Sequence, residues 1–428
     1  MTDLIIIGAG PGGYKSALHA AKHGIKVTIF EDGHVGGTCL NVGCIPTKTY
    51  VHSATFAEAI ERQPQVVEQL RNGVETLLSH PNITLVHERA SFVDDHTVET
   101  PSGQRFTADN IIIATGSSAK LLPIPGIDDP RVVTSTELLQ LKELPRRLCI
   151  VGAGVIGMEF ASVFNRFGSE VTVIEFLKEC LPMLDSDIAK RLRKLMEKRG
   201  VAFNLQCGVK QIADGKVFFE NKKGQVESVE ADVILIATGR KPNTEGLNLE
   251  AAGITLAPNG TIPVDEHFQI VNCKSSNCNW YAIGDVNGRQ MLAHAAEYQG
   301  HHVINRILGI EDHIRFDIMP GAIFTEPEAA NVGPSEDQLK EAGIAFECHK
   351  AFYRANGKAL AMNDTEGMLK LCCEPEEGRI LSCHAFGPHA ADLVQEVTTA
   401  MNFGATLQQL RETVHIHPTL SEVLIEVN

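Results

Sequence analysis

Nowhere in its 428 residues does the sequence hold an apolar run approaching the roughly 18 residues that a helical membrane span requires. No membrane partner is therefore expected. Basic charge is also scarce: 38 Lys and Arg stand against 53 Asp and Glu, a net charge of −15. Nothing concentrates cations against phosphates, which argues against a nucleic-acid partner. The opening Met-Thr-Asp-Leu-Ile-Ile-Ile-Gly lacks the basic flank and cleavage site of a signal peptide and runs directly into a strand. The expected location is cytoplasmic. Missing too is the dense, even-numbered cysteine set of a secreted scaffold, since 11 cysteines are scattered over the whole chain. Free thiols in a reducing compartment are expected, and any disulfide would be redox-active rather than structural.

What is present is a repeat. The chain is too long for one ordinary core, so two to four domains are expected. Residues 4–31, LIIIGAGPGGYKSALHAAKHGIKVTIFE, align without a gap to 148–175, LCIVGAGVIGMEFASVFNRFGSEVTVIE. Both read as strand, glycine turn, helix, Gly (Gly24, Gly168), strand and acidic residue. Each carries G-x-G-x-x-G: Gly8, Gly10 and Gly13, then Gly152, Gly154 and Gly157. The first glycine allows a tight turn, the second a close approach to pyrophosphate, and the third close helix–strand packing. The helix N-terminus adds positive dipole. Glu31 and Glu175 end the second strands, where a carboxylate binds ribose hydroxyls. One such pattern is weak evidence. Two, each with its acid at the same offset, point to two bound dinucleotides.

Each unit also contains an apolar strand ending in Thr-Gly, Ile111-Ile-Ile-Ala-Thr-Gly-Ser117 and Ile234-Leu-Ile-Ala-Thr-Gly-Arg240. Trp280-Tyr-Ala-Ile-Gly-Asp285 is a third such strand. All three could be plain core strands, but their recurrence after each nucleotide unit favours cofactor contact. The Pro- and Gly-rich stretches 120–130 and 240–262 read as linkers. From about residue 318 the glycine fingerprint disappears, which marks a separate domain.

Between the first nucleotide unit and the rest lies Gly36-Gly-Thr-Cys-Leu-Asn-Val-Gly-Cys-Ile-Pro-Thr-Lys48. Residues five apart on an ideal helix have Cα atoms about 8.7 Å apart, whereas a disulfide tolerates about 7 Å. A Cys39–Cys44 bridge therefore needs a distorted helical turn, and Gly43 supplies backbone freedom there. Such a short loop stabilises little, so strain and a nearby helix terminus would make the bond reducible and one thiol acidic. Two buried thiols on one helix remain the alternative. Cys273 and Cys278 have the same spacing in a polar stretch that reads as surface loop. Cys372-Cys373 lies in an apparent strand and reads as core.

With these features in place, the sequence resembles the pyridine nucleotide-disulfide oxidoreductase family, and most closely its dihydrolipoamide-oxidising branch. The likeness runs through the first fingerprint, Gly-Gly-Thr-Cys-x4-Cys-Ile-Pro-Thr-Lys, the second fingerprint and Ala-Ile-Gly-Asp. It continues through Met291-Leu-Ala-His294 and His415-Ile-His-Pro-Thr-Leu-Ser-Glu422. It implies an α/β fold with two Rossmann-like domains of three-layer ββα type, one for FAD and one for NAD, the second inserted in the first. An α+β dimerisation domain follows. The implied boundaries are 1–142 with 262–317 for FAD, 143–261 for NAD, and 318–428 for dimerisation.

By the same resemblance, Cys39 meets the substrate disulfide and Cys44 lies against the flavin. His417 is the acid–base, oriented by Glu422, and this pair comes from the other subunit of a homodimer. Lys48 approaches the flavin and pairs with Glu159. Glu31 takes the adenosine ribose of FAD, and Asp285 the ribityl side. Gly36, Gly37, Thr38, Ala90, Thr115, Gly116, Ser117, Met291, Leu292, Ala293 and His294 line FAD together with the first three glycines. On the NAD side stand Gly152, Gly154, Gly157, Glu159, Glu175, Val209 and Gly239. Glu175, followed by Phe176-Leu-Lys-Glu without arginine, favours NAD, because a carboxylate repels a 2′-phosphate. The implied substrate is dihydrolipoamide, free or on a lipoyl-carrying protein of a 2-oxoacid dehydrogenase or glycine cleavage complex.

Several rivals are weaker. Glutathione-type reductases favour NADPH, and mercuric reductases lack the His-Pro-Thr histidine. A non-catalytic redox sensor, an NADH oxidase or a transhydrogenase does not need the full Cys–Cys–His set. His415 and His417 have H-x-H ligand spacing, but no third ligand cluster accompanies them and no metal is expected.

Overall fold

The computed structural model describes residues 3–273 and 279–427. Cys278, and with it the Cys273–Cys278 spacing, lies outside these residues. The chain divides into two compact units, one of Met1–Ser53, Ala57–Lys120 and Arg240–Ile314, the other of Ala54–Phe56, Leu121–Gly239 and Arg315–Asn428.

The first unit is built on a parallel sheet in the order Asn279–Ala282, Asn110–Ile113, Leu4–Ile7, Val27–Phe30, Ile83–Val86. Its central strands are continuous apolar runs because both faces are covered; Leu4–Ile7 is buried at every residue. On one side the helices Pro11–Lys22 and Ala293–Leu308 pack so closely that a Cβ on Gly300 would lie 1.9 Å from Ser16 Oγ. A three-stranded antiparallel sheet, Ser91–Phe92, Thr97–Glu99 and Arg105–Thr107, supplies the third layer. Phe92 and Val98 share its core with Ile5, Ile113 and Trp280.

The stretch 240–262 corrects the linker reading. Arg240–Pro242 pairs with Ser117–Ala119, and Leu247, Leu249, Ala252, Ile254 and Ile262 enter the core beside Trp280. Its glycines make turns that fold the chain back, with Gly246, Gly253 and Gly260 all at positive φ, and they do not loosen it. The stretch 120–130 is likewise packed, since Ile124 and Ile127 lie against the core of the second unit.

The second unit repeats the plan. Its parallel sheet runs Ala202–Leu205, Glu170–Glu175, Arg147–Val151, Val233–Ile236, Val132–Val133. The three-stranded sheet here is Gly208–Ala213, Lys216–Glu220 and Val226–Glu230. To this is added an antiparallel sheet in the order Gly321–Ile323, Ala329–Val332, Ile380–Phe386, Met368–Cys373, Glu347–Phe352. The α/β class with doubled nucleotide folds and an α+β C-terminal region is therefore as the sequence implies.

In that last sheet the alternation of side chains separates the neighbours Cys372 and Cys373. Cys373 joins Leu369, Leu371, Cys383 and Ala385 in the apolar core against the helix Ala390–Asn402. Cys372 turns to the other, polar face, which carries Lys370 and His384, both buried. Lys370 Nζ lies 2.8 Å from Asp185 Oδ2 and also binds Glu336. No helix among the described residues is long and apolar enough to cross a membrane.

Candidate active site

The two glycine fingerprints fold to the same geometry. A Cβ at Gly8 would sit 2.5 Å from the Ala114 carbonyl oxygen, and one at Gly152 would sit 2.5 Å from that of Ala237. At the third glycines the approach is closer still, 1.9 Å from Gly8 O at Gly13 and 2.0 Å from Gly152 O at Gly157. No side chain fits at these four positions. The Thr-Gly strands thus lie directly against the first glycine of each fingerprint, and this is why they recur together. Gly10 and Gly154 cap their helices without a side-chain partner, and neither first turn carries an acid. The N-terminal amides remain available to an anion.

The closing acids match as well. Glu31 Oε2 accepts the Ala9 N–H at 2.9 Å and Oε1 that of Gly33 at 2.9 Å. Glu175 takes the N–H groups of Ala153, at 2.5 Å, and Leu177, at 2.7 Å. Each carboxylate is thereby fixed at the end of its strand. Burial pushes the Glu31 carboxyl above its ordinary range, and the Ala9 and Gly33 amides hold it partly down. Beside Glu31 opens a cavity of about 310 Å³, with Arg89, Ala90, Thr115 and Asn243 on its walls. Its size and the fixed acid suit a nucleoside.

Further along the same unit, Gly37 lies so near Gly10 that a Cβ would fall 2.6 Å from its Cα. Gly36 and Gly37 both have positive φ, and they start the helix Gly37–Val42 flat against the fingerprint. Ser117 Oγ donates to Asp285 Oδ2 at 2.5 Å, and Arg240 donates to Ser117 Oγ at 2.6 Å. Thr115 Oγ1 donates to the Asn243 carbonyl at 2.6 Å. Sequence reasoning missed Arg240 and Asn243. Arg240 directly follows the second Thr-Gly, which was the available signal. Met291 and Leu292 lead into the helix Ala293–Leu308, whose N-terminus has no side-chain cap, and His294 is exposed there.

The dithiol sits where the sequence demands a break. Cys39 lies on Gly37–Val42, and Cys44 opens the next helix, Cys44–Val51, with Gly43 between them. A Cβ on Gly43 would be 2.9 Å from Thr38 O, so only glycine lets the two helices meet this closely. Both cysteines are free thiols. A side-chain hydrogen bond with Cys44, followed by burial, pushes the Cys39 thiol well above the usual range, while Lys48 pulls the other way. Cys44 is exposed and opens a helix whose N-terminus has no side-chain cap.

In the second unit, Glu159 is buried on the helix Val155–Phe167, and its Oε1 accepts the Phe324 N–H at 2.9 Å. Val209 is on the first strand of the three-stranded sheet beside a bulge, and Gly239 is at φ +118° with open space around it. Near the C-terminus, His417 Nδ1 lies 2.8 Å from Glu422 Oε1, and Glu422 Oε2 takes the Thr419 N–H at 2.9 Å. The Thr419 amide, then His417, hold the Glu422 carboxyl below its ordinary range. His417 is 80 % exposed in this chain, next to Val414 and Ile416, which are exposed as well. An apolar surface this open suits coverage by another subunit. His415 uses both ring nitrogens, on Thr413 O and Glu396, so the H-x-H spacing does not form a ligand pair.

Two glycine turns that open uncapped helices, each with a fixed carboxylate at the end of the next strand, and a dithiol beside the first fit a two-dinucleotide thiol oxidoreductase. The model of the pyridine nucleotide-disulphide oxidoreductases matches residues 2–300, and that of the family's dimerisation domain matches 319–427. The chain belongs to the pyridine nucleotide-disulphide oxidoreductase family, whose members use FAD and a pyridine nucleotide. It is 38% identical to the mitochondrial dihydrolipoyl dehydrogenase of Pisum sativum, over 99% of this chain and 90% of that protein. It is also 38% identical to leghemoglobin reductase of Glycine max, over 99% and 86%. Among solved structures it resembles the HOCl-induced flavoprotein disulfide reductase RclA from Escherichia coli, with a TM-score of 0.91, 33% identity and 99% of both chains covered.

Proposed function

We propose that the chain is a dihydrolipoyl dehydrogenase, a homodimer that oxidises dihydrolipoamide and reduces NAD⁺. The observation that carries this reading is the Cys39–Cys44 dithiol, two free thiols on either side of the Gly43 break and beside the first cradle. The substrate is dihydrolipoamide itself or the lipoyl group of a 2-oxoacid dehydrogenase or glycine cleavage complex. Names of relatives support this choice.

FAD, when bound, supplies the exchange of a dithiol's electron pair for a hydride that NAD⁺ accepts. Gly8, Gly10, Gly13, Glu31, Gly36, Gly37, Thr38, Ala90, Thr115, Gly116, Ser117 and Asp285 would hold it, with Lys48 and Met291 to His294 alongside. Gly152, Gly154, Gly157, Glu159, Glu175, Val209 and Gly239 would hold the nicotinamide nucleotide. With Cys39 and Cys44 joined as a disulfide, a substrate thiolate attacks Cys39 and displaces Cys44 as thiolate. The second substrate thiolate then displaces Cys39, which leaves the substrate oxidised and the enzyme a dithiol. His417, reaching in from the second copy, takes the substrate's thiol proton at Nε2, because Glu422 holds Nδ1. Glu175 selects NAD⁺ over NADP⁺ by facing the ribose with a carboxylate.

A second reading, a flavoprotein reductase of some other disulfide, is favoured by the likeness to RclA. One assay separates the two. The purified yellow protein should reduce NAD⁺ rapidly with dihydrolipoamide and NADP⁺ hardly at all. No turnover with dihydrolipoamide, beside NADH-driven reduction of another disulfide, would replace the first reading by the second.

A further inference from the structure

The C-terminal antiparallel sheet carries four thiols that the proposed chemistry leaves unused, and two of them face each other. Its edge strand Glu347–Phe352 pairs with Met368–Cys373, and Cys348 stands directly opposite Cys372. Opposed residues on antiparallel strands keep their Cα atoms about 4.5 or 5.5 Å apart, and both spacings fall in the roughly 4.4–6.8 Å range of disulfides. The two sulfurs are 3.0 Å apart. Neither belongs to the apolar core of the sheet, which takes Leu371, Cys373 and Cys383 from the opposite face. Cys372 is 2% exposed, whereas Cys348 is half-buried, so only one of the pair meets a reagent from solvent.

We propose that Cys348 and Cys372 are a second redox couple, distinct from Cys39–Cys44, which closes to a disulfide by exchange with a low-molecular-weight disulfide. The Cys348 thiolate attacks one sulfur of RS–SR, forms Cys348–S–SR and releases RS⁻, which takes a proton from water. The Cys372 thiolate then attacks the Cys348 sulfur, forms the Cys348–Cys372 bond and releases the second RS⁻. Two protein thiols are oxidised and one RS–SR is reduced to two RSH.

The surroundings set the tempo. Burial, then the hydrogen bond with Cys372, pushes the Cys348 thiol up to about 12, while the Lys370 ammonium favours its thiolate. Thiolate is therefore scarce near neutral pH, and attack should speed up roughly tenfold per pH unit. A couple this slow does not turn over with the active site. It records sustained oxidation, and closing it ties the edge strand covalently to its neighbour.

The test treats the whole flavoprotein with oxidised glutathione, quenches with iodoacetamide, digests it and maps the cysteines by mass spectrometry. The expected product joins the Cys348 and Cys372 peptides with two hydrogens lost, forms equally in Cys39→Ser, and accumulates about tenfold faster at pH 8 than at pH 7. Dithiothreitol should return both thiols. Cys348→Ser, at the half-buried position, should keep its flavin and lose the product. A lasting glutathione adduct on Cys348 with Cys372 still free would overturn the proposal. So would a link from Cys348 to Cys373, or two thiols that stay unlinked throughout.

Discussion

His417 is held by Glu422, whose Oε1 lies 2.8 Å from Nδ1, so the imidazole presents Nε2 outward. In the proposed reaction the carboxylate holds Nδ1 and stabilises the charge on the ring when Nε2 takes a proton. Replacing His417 by Gln should lower kcat with dihydrolipoamide by about 10²- to 10⁴-fold, the usual contribution of a positioned acid–base. Glu422→Gln should cost less, on the order of tenfold, and fall on kcat more than on KM. Steady-state kinetics at saturating NAD⁺ checks both. Full turnover in His417→Gln would remove it from the proton path.

The second cradle can be closed without touching the first. Gly157→Ala places a methyl group on the Gly152 carbonyl, at 2.0 Å in the present geometry, and the backbone must move. Overpacking of this kind costs roughly 1–3 kcal/mol. The KM for NAD⁺ should rise about ten- to a hundredfold, while the ratio of flavin to protein, read from the visible spectrum, stays at the wild-type value.

Glu175 is expected to set nucleotide choice. Both its oxygens are pinned by the Ala153 and Leu177 amides, so the charge is presented in one fixed place. Glu175→Gln keeps the shape and removes the repulsion toward a 2′-phosphate. The preference for NAD⁺ over NADP⁺, measured as the ratio of kcat/KM values, should fall about tenfold or more, or roughly 1.4 kcal/mol.

A buried histidine should make the second unit acid-sensitive. His384 accepts the Asp185 N–H at Nδ1, 2.9 Å away, and burial pulls it from the ordinary 6.5 down to about 4. Because its pKa is lower folded than unfolded, the unfolded chain binds the proton first as pH falls. Its contribution is complete above about 6.5 and is lost progressively towards about 4, amounting to on the order of 3 kcal/mol. Glu336, drawn down to about 2 by Lys340 and Lys370, loses its share lower still, between about 4.5 and 2. Denaturant unfolding of His384→Gln followed from pH 7 to 4 should show a flatter pH dependence than wild type.

The nucleotide cradles were legible because their logic is local. Glycine spacing, strand runs and closing acids lie within 28 consecutive residues, and the same segment occurs twice. The broken helix at Gly43 was legible for the same reason, since two cysteines five apart cannot meet on an unbroken one. The stretch 240–262 reads as a linker because its glycines and prolines interrupt Leu247, Leu249 and Ile254, and the strand that receives Arg240–Pro242 lies more than 120 residues earlier. The contact between Cys348 and Cys372 depends on strand register, which no local pattern reveals. Glu422 carried an overlooked sign, for Thr419-Leu-Ser-Glu422 is a capping-box pattern. That pattern explains why the residue that orients His417 also closes its own turn.

The most direct test of the central claim is to find which thiols appear when substrate arrives. The oxidised flavoprotein would be mixed with dihydrolipoamide in the absence of NAD⁺, quenched with iodoacetamide on the time scale of one turnover, and mapped. New label on Cys39 and Cys44 together, appearing at least as fast as kcat, is the expected result, and Cys44→Ser should show no such paired gain while keeping its flavin. Rapid oxidation of dihydrolipoamide with no new label on these two cysteines would contradict the account.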